Sequence, residues 1–318
     1  MVDAKITDKM RNLRDGYSSA LIKLGYANEN VVVLDADLAL STKTKRFGTI
    51  FPERFFDCGI SEANMMGMAA GLATCGKISF ASSFAVFATG RCYDQIRQSI
   101  AYPELNVKIV ATHAGISVGG DGASHQMLED IALMRALPNM RVIAPADAVE
   151  VEDVIPAIAA EPGPFYVRMG RADTPIIFRR HMKFRVGKAK LLRGGNDITI
   201  ISTGTMTAEA LKAYELLRKD GVEARVIHMP TVKPVDKREV MKAAKDTGCI
   251  ITCEEHSVIG GLGGAVARAM GDNPVPMKRI GIHDVFGESG DAWELMEKYG
   301  LTAENIAKTA KKLIKERK

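Results

Sequence analysis

Short β-branched runs alternate with helix-patterned stretches along almost the whole chain, and this alternation restricts the possible fold more than any other feature. Strand, helix and strand in repeated succession bury their apolar surface as a parallel sheet covered by helices. The first series reads as strand VVVLDAD (31–37), strand Arg54–Cys58, helix 61–76, strand Lys77–Ala81, helix 84–101 and strand Val107–Thr112. It continues with helix 126–136, strand Arg141–Ala144, helix 148–160 and strand Phe165–Arg168. Ahead of it, residues 8–25 place Met10, Leu13, Tyr17, Leu21 and Leu24 on one helical face. The stretch 172–190 is basic and without period, so a linker is expected there. A second series follows: DITIIST (197–203), helix 206–219, ARVIHM (224–229), helix 236–246, CIITCE (249–254), helix 262–271, MKRIGI (277–282), and helices near 291–298 and 303–316. The expected fold is therefore two doubly wound α/β domains: a parallel-sheet domain over 1–172, a linker over 173–192 and a smaller α/β domain over 193–318.

A chain of 318 residues has room for two such cores. Its net charge of +5 suits small anionic substrates and is too small to argue for nucleic acid. No apolar run reaches membrane-spanning length, and the charged start MVDAKITDKMRNLRDGY lacks the apolar segment of a signal peptide, so a cytoplasmic location is expected. The five scattered cysteines fit reduced thiols.

In open parallel sheets ligands bind beyond the carboxyl ends of the strands. That rule selects Asp35 and Asp37, Glu62, Ser82 to Phe84, His113, and Arg168 with Arg171. It also selects the longest and most glycine-rich loop, GISVGGDGASHQ (115–126), which carries Asp121 and His125. Each residue has a plain reading beside a functional one. Glu62 opens a helix with no other charged side chain before Lys77. It either complements the helix dipole in the first turn, or is a carboxyl group in an apolar cleft able to hold or exchange a proton. Phe84 and Phe87 pack a core or sandwich a flat ring. The two arginines are solvated or grip a phosphate. His113, Asp121 and His125 match no metal-ligand spacing. Gly120-Asp121-Gly122 lacks the downstream Asn of a diphosphate and metal motif, since 145–152 reads PADAVEVE, and Gly260–Gly264 does not directly follow a strand as a dinucleotide loop does.

Several segments, taken in order, carry a resemblance. They are RDGYSSALIKLGYANENVVVLDADLALST (14–42), GISEANMMGMAAGLA (59–73), SSFAVFATGRCYDQIRQSI (82–100) and THAGISVGGDGASHQMLEDIALMRALPNM (112–140), followed by ADTPII, ITIISTGT, VKPVD and EEHSVIGGLGGAV. From end to end the chain resembles the C-terminal half of transketolase, occurring as a separate polypeptide. The resemblance implies a pyrimidine-binding domain followed by the family's C-terminal domain, and thiamine diphosphate as cofactor. It implies that Glu62 hydrogen-bonds the aminopyrimidine ring nitrogen and promotes the imino form, whose exocyclic nitrogen takes the thiazolium proton. It makes Phe84 and Phe87 the aromatics against the pyrimidine, with Ile60 and Met65 as wall residues and Asp37 as an acid near the cofactor. Where some relatives carry a third aromatic, this chain has Gly90. Arg14, Ser41, His113 and Arg171 match positions that grip a terminal phosphate, Asp121 one that reads a substrate hydroxyl, and His125 one near the reacting carbons.

The diphosphate and its divalent, Mg2+-type metal belong to another domain in this family. The resemblance therefore implies an N-terminal partner subunit, self-association of this chain into a dimer, and an α2β2 heterotetramer acting on sugar phosphates, with no role for nucleic acid or membrane. Nearby alternatives are the β subunit of a 2-oxoacid dehydrogenase or the matching part of deoxyxylulose-phosphate synthase. A non-catalytic regulatory subunit is the alternative of a different class.

Overall fold

The computed structural model describes residues 2–317. Its first half builds six strands of a seven-stranded sheet. These six strands are parallel, in the spatial order Arg141–Ile143, Phe165–Arg168, Val107–Thr112, Ile78–Phe84, Val31–Asp35 and Phe55–Asp57. Val31–Asp35 is buried along its whole length, as its unbroken apolar run requires of a strand covered on both faces. The chain runs from Val31–Asp35 outward to Phe55–Asp57 and then back to the other side at Ile78–Phe84, so the topological switch lies between Val31–Asp35 and Ile78–Phe84. The crevice at their carboxyl ends is where Asp35 and Phe84 stand.

The second half forms a five-stranded sheet in the order Met277–Ile282, Ile250–Ser257, Ile198–Ser202, Ala224–His228 and Lys190–Arg193, parallel except for the last strand. Its helices are set by local signals: Asp236 caps Lys237–Thr247, which stops at Gly248 with φ 67°, and Thr302 caps Ala303–Glu316. Two α/β domains are present, as the alternation requires.

Four details differ from the sequence expectation. The first helix is Leu13–Ala27 and excludes Met10, which is half exposed; Met10–Arg11 instead pairs with Thr174–Pro175 inside the expected linker. The end of that linker likewise enters the strand Lys190–Arg193. Thr231–Lys233 leaves the second domain and pairs antiparallel with Arg141–Ile143, completing the first sheet. The apolar core is continuous across the junction, with Tyr166 and Val142 in one cluster with Ile201, Ile227 and Met229. Finally, the segment after the third strand is no regular helix: Ile78–Phe84 extends to Phe84, and Val86–Arg91 and Ile96–Ala101 are π-helical. Such wide turns gather at functional sites because they re-aim side chains.

Candidate active site

Glu62 is the first residue of the helix Glu62–Thr74, and the Ser61 side chain makes no capping bond. The carboxylate is 2% exposed. Arg91 Nη1 donates to its Oε2 at 2.6 Å, while Oε1 has no hydrogen bond among the described residues. Arg91 is half exposed and lies 4.6 Å from the centre of the Phe87 ring. Along its own helix Glu62 has no charged neighbour, as the sequence shows, but in space the π-helical segment carries Arg91 back onto it. Although the helix is apolar or small-residued around most of its circumference, it is not buried on every side. Asn64, Gly67 and Gly71 are not buried, and a Cβ at either glycine would meet nothing within 4 Å. Within this chain no described element covers the face bearing these small residues.

Phe84 ends its strand and Phe87 lies in the π-helical turn, so the pair is not on one helix as the spacing suggested. The rings are nonetheless nearly parallel, 6.0 Å apart. His113 follows Val107–Thr112 with φ 57° and stacks on Phe84 at 3.7 Å. His125 meets Phe87 edge-on at 5.4 Å and Phe84 at 6.2 Å. Four flat rings thus converge beyond the strand ends, linked through Phe87 and Arg91 to Glu62. Burial foremost, then the charges of Arg14, Arg171 and His125, lower the His113 pKa to about 3, so its imidazole is neutral at pH 7.

Arg14 sits in the first turn of Leu13–Ala27, where Asn12 caps the helix and accepts from Arg14 Nε at 2.7 Å. Its guanidinium donates to the carbonyls of Ser41 and Arg171, both at 3.0 Å. Arg171 Nη1 in turn donates to Val118 O at 2.8 Å. Arg14, Ser41, Arg171 and His113 are therefore gathered as expected, although Ser41 meets Arg14 through its carbonyl. The loop bearing Ser41 and Asp37 hangs on Asp35, whose buried carboxylate accepts from Leu38 N, Thr42 Oγ1 and Thr44 Oγ1 at 2.7, 2.6 and 2.8 Å. Burial raises Asp35 to a pKa of about 6, against the opposing pull of those donors.

The remaining candidates are placed less centrally. Asp37 is exposed, with φ 61°, and its N–H donates to Asp57 Oδ1. Asp121 is exposed at the end of the turn Ile116–Asp121. Ile60 is 79% exposed and stands at the rim. Met65 is fully buried in the core and offers no surface to a ligand in this chain, because its position on the helix turns it toward the sheet. Arg168, weighed with Arg171, is buried and paired with Asp130 at 2.9 Å, so it is part of the domain junction. Sequence reasoning overlooked Asp35 as an anchor and Arg91 as the partner of Glu62. Among the described residues no group of three or more His, Cys, Asp or Glu side chains could hold a metal, and no helix is long and apolar enough to cross a membrane.

Fold and site together define an α/β protein that gathers, at a topological switch point, a buried acid beside a cluster of rings and, on the other side, arginines. Residues 9–176 match the family model of the transketolase pyrimidine binding domain, and residues 187–306 that of the transketolase C-terminal domain. The chain belongs to the transketolase family. It is 56% identical, over 96% of each chain, to a Methanocaldococcus jannaschii protein named for a transketolase C-terminal section. It is 45% identical to the 6-deoxy-6-sulfo-D-fructose transketolase subunit SqwH of Clostridium sp. (strain MSTE9), covering 94% of this chain and 93% of that one. It is 37% identical to a subunit of the apulose-4-phosphate transketolase of Phocaeicola vulgatus, covering 98% and 100%. A solved split-gene transketolase, an inactive β4 tetramer, superposes with a TM-score of 0.91 at 49% identity, covering 96% of this chain and 99% of that chain. The chain is thus a split transketolase-family subunit.

Proposed function

We propose that this chain is the C-terminal subunit of a thiamine diphosphate-dependent transketolase that moves a two-carbon ketol unit from a ketose phosphate to an aldose phosphate. One observation carries the reading: a water-shielded carboxylate, Glu62, is tied to a cluster of four aromatic rings whose far side faces two arginines. When bound, thiamine diphosphate supplies the carbanion chemistry that a ketol transfer needs. The residues present fit its aminopyrimidine. Phe87 and His125 offer partly exposed ring surface, and the Glu62 Oε1 oxygen is free to share a proton with a ring nitrogen. His113, neutral and stacked on Phe84, can donate or accept without repelling a cationic ring. Arg14 and Arg171 would take the anionic end of the sugar, a group that the relatives' names give as a phosphate in one case and a sulfo group in another.

The diphosphate and its divalent metal fall to an N-terminal partner subunit in this reading. The uncovered helix face at Asn64, Gly67 and Gly71 supports it, because small residues let a second backbone approach closely. A cytoplasmic α2β2 complex is the assembly we infer.

The test is to co-express the chain with its cognate N-terminal subunit. The complex is assayed with xylulose 5-phosphate and ribose 5-phosphate, and in parallel with pyruvate, with and without glyceraldehyde 3-phosphate. Ketol transfer is expected, and Glu62→Gln, which keeps shape and removes the proton carrier, should lower kcat by about 10²–10⁴-fold. Turnover of pyruvate alone, or a Glu62→Gln complex as active as wild type, refutes the reading.

A further inference from the structure

The second domain reaches the glycine-rich loop at three points. Glu255, on the strand Ile250–Ser257, is 2% exposed, and its carboxylate accepts from the Ser117 backbone N–H at 2.7 Å and from Thr205 Oγ1 at 2.9 Å. Ser289 Oγ donates to Gly120 O at 2.6 Å. Gln126 Nε2 donates to Gly119 O at 3.2 Å and to Glu288 O at 2.8 Å, tying the loop to the segment before the helix Ala292–Lys298. From the first domain, Arg171 holds Val118 O. The N–H of residue 117 and the carbonyls of 118, 119 and 120 are thus each bonded, and it is Glu255 that serves the N–H.

Two glycines are explained by the same contacts, one on each side. Gly115, with φ 91°, passes so close to Glu255 that a Cβ would lie 2.1 Å from its Oε1. On the facing side, a Cβ at Gly287 would lie 1.9 Å from Gln126 Oε1. These two glycines admit the second domain to the loop. Glu255 is itself fixed, since Arg168 Nη2 donates to its carbonyl at 2.6 Å while Arg168 Nε is paired with Asp130.

We infer that Glu255 is a positioning residue, through which the C-terminal domain holds the Ile116–Asp121 turn so that Asp121 and, through the Val118 carbonyl, Arg171 stay set for the substrate. The inference rests on the proposed function for what the loop binds, and on geometry alone for the holding. It is tested with Glu255→Gln, which keeps an acceptor oxygen but removes the charge, and with Glu255→Asp as the conservative variant. Hydrogen–deuterium exchange on the isolated subunit should show the 113–126 segment exchanging about tenfold faster in Glu255→Gln, with the Glu62–Thr74 helix unchanged. In the reconstituted complex the KM for the sugar phosphate should rise about tenfold, with kcat within about twofold and cofactor affinity unchanged. Glu255→Asp should recover part of both effects.

Unchanged loop exchange, faster exchange with an unchanged KM, or equal losses in kcat and cofactor affinity would each overturn the inference. If Glu255→Gln does not fold, Thr205→Val, which frees one carboxylate oxygen and leaves the Ser117 bond, carries the same readouts with effects of about threefold. A wild-type complex inactive on every sugar phosphate would strike the proposed function. The exchange measurement, made on the subunit alone, would then decide the holding role.

Discussion

His113→Gln removes an imidazole that the surrounding structure keeps from protonating, and the change in acid stability measures how strongly. Burial, followed by the charges of Arg14, Arg171 and His125, takes the pKa from 6.5 to about 3. The residue is 3% exposed, so solvent screens little of this. The folded chain therefore binds the proton less readily than the unfolded chain. As pH falls below 6.5 the unfolded state takes up the proton first, and stability is lost until the folded value near 3 is reached. Each pH unit in that window is worth about 1.4 kcal/mol. Wild type should lose about 2 kcal/mol between pH 7 and pH 5, and about 3 kcal/mol by pH 4, that the Gln variant retains. Urea unfolding of both proteins at the three pH values gives the difference, and a histidine NMR titration gives the pKa directly. An imidazole titrating near 6.5, or two proteins with the same pH dependence, would refute the reasoning. The same balance links His113 to substrate: an anion beside Arg14 and Arg171 would cancel two of the charges that oppose protonation, so bound sugar phosphate should raise the His113 pKa, which the same NMR titration detects.

Two further perturbations test the scaffold. Phe84→Ala removes the ring on which His113 stacks and opens a cavity under Phe87, so it should cost about 3–5 kcal/mol in urea unfolding and abolish cofactor binding in the complex. Glu150→Gln strikes a cluster at the domain junction, where the fully buried Glu150 accepts from the part-buried Lys190 Nζ at 2.6 Å and meets His228 Nε2 at 2.7 Å. Burial alone would raise the Glu150 pKa, but His228 and Lys190 outweigh it and hold the carboxyl well below its usual range. Its contribution is therefore present above about pH 4.5 and lost as pH falls, and the variant should be about 3 kcal/mol less stable at pH 7 with a shallower acid limb.

Elements whose periodicity is written locally were legible in the sequence. The helix Met206–Lys219 has the bounds its amphipathic spacing suggests, and the strand ends alone gathered Phe84, His113, His125 and Arg171. What escaped depends on distance or on uncommon geometry. A π-helical turn has no sequence period, so the re-aiming of Phe87 and Arg91 left no signal. Thr231–Lys233 is three residues long and crosses to the other domain's sheet, which hydrophobic pattern does not encode. Glu255 did leave a trace: EEH interrupts the otherwise apolar strand Ile250–Ser257, and three buried titratable residues in a row demand partners. Gly120 and Gly122 suggest a diphosphate motif, whereas it is Gly115 that makes room for a carboxylate of the same chain, Glu255.

If the site is completed by a partner subunit, as proposed, the position of Glu62 accounts for how its half is kept on this chain. A carboxylate shielded from water and left without a partner would be costly, and a site completed by another polypeptide would leave it so until assembly. Arg91 removes that difficulty. It satisfies one oxygen while the chain is alone, from a side chain that is half exposed and so free to follow the ligand or withdraw. A fully buried partner, such as Arg168 gives Asp130, would have locked the acid against exchange with anything else. In the proposed function, the difference between the two pairs separates a carboxylate kept available for chemistry from one that is part of the frame.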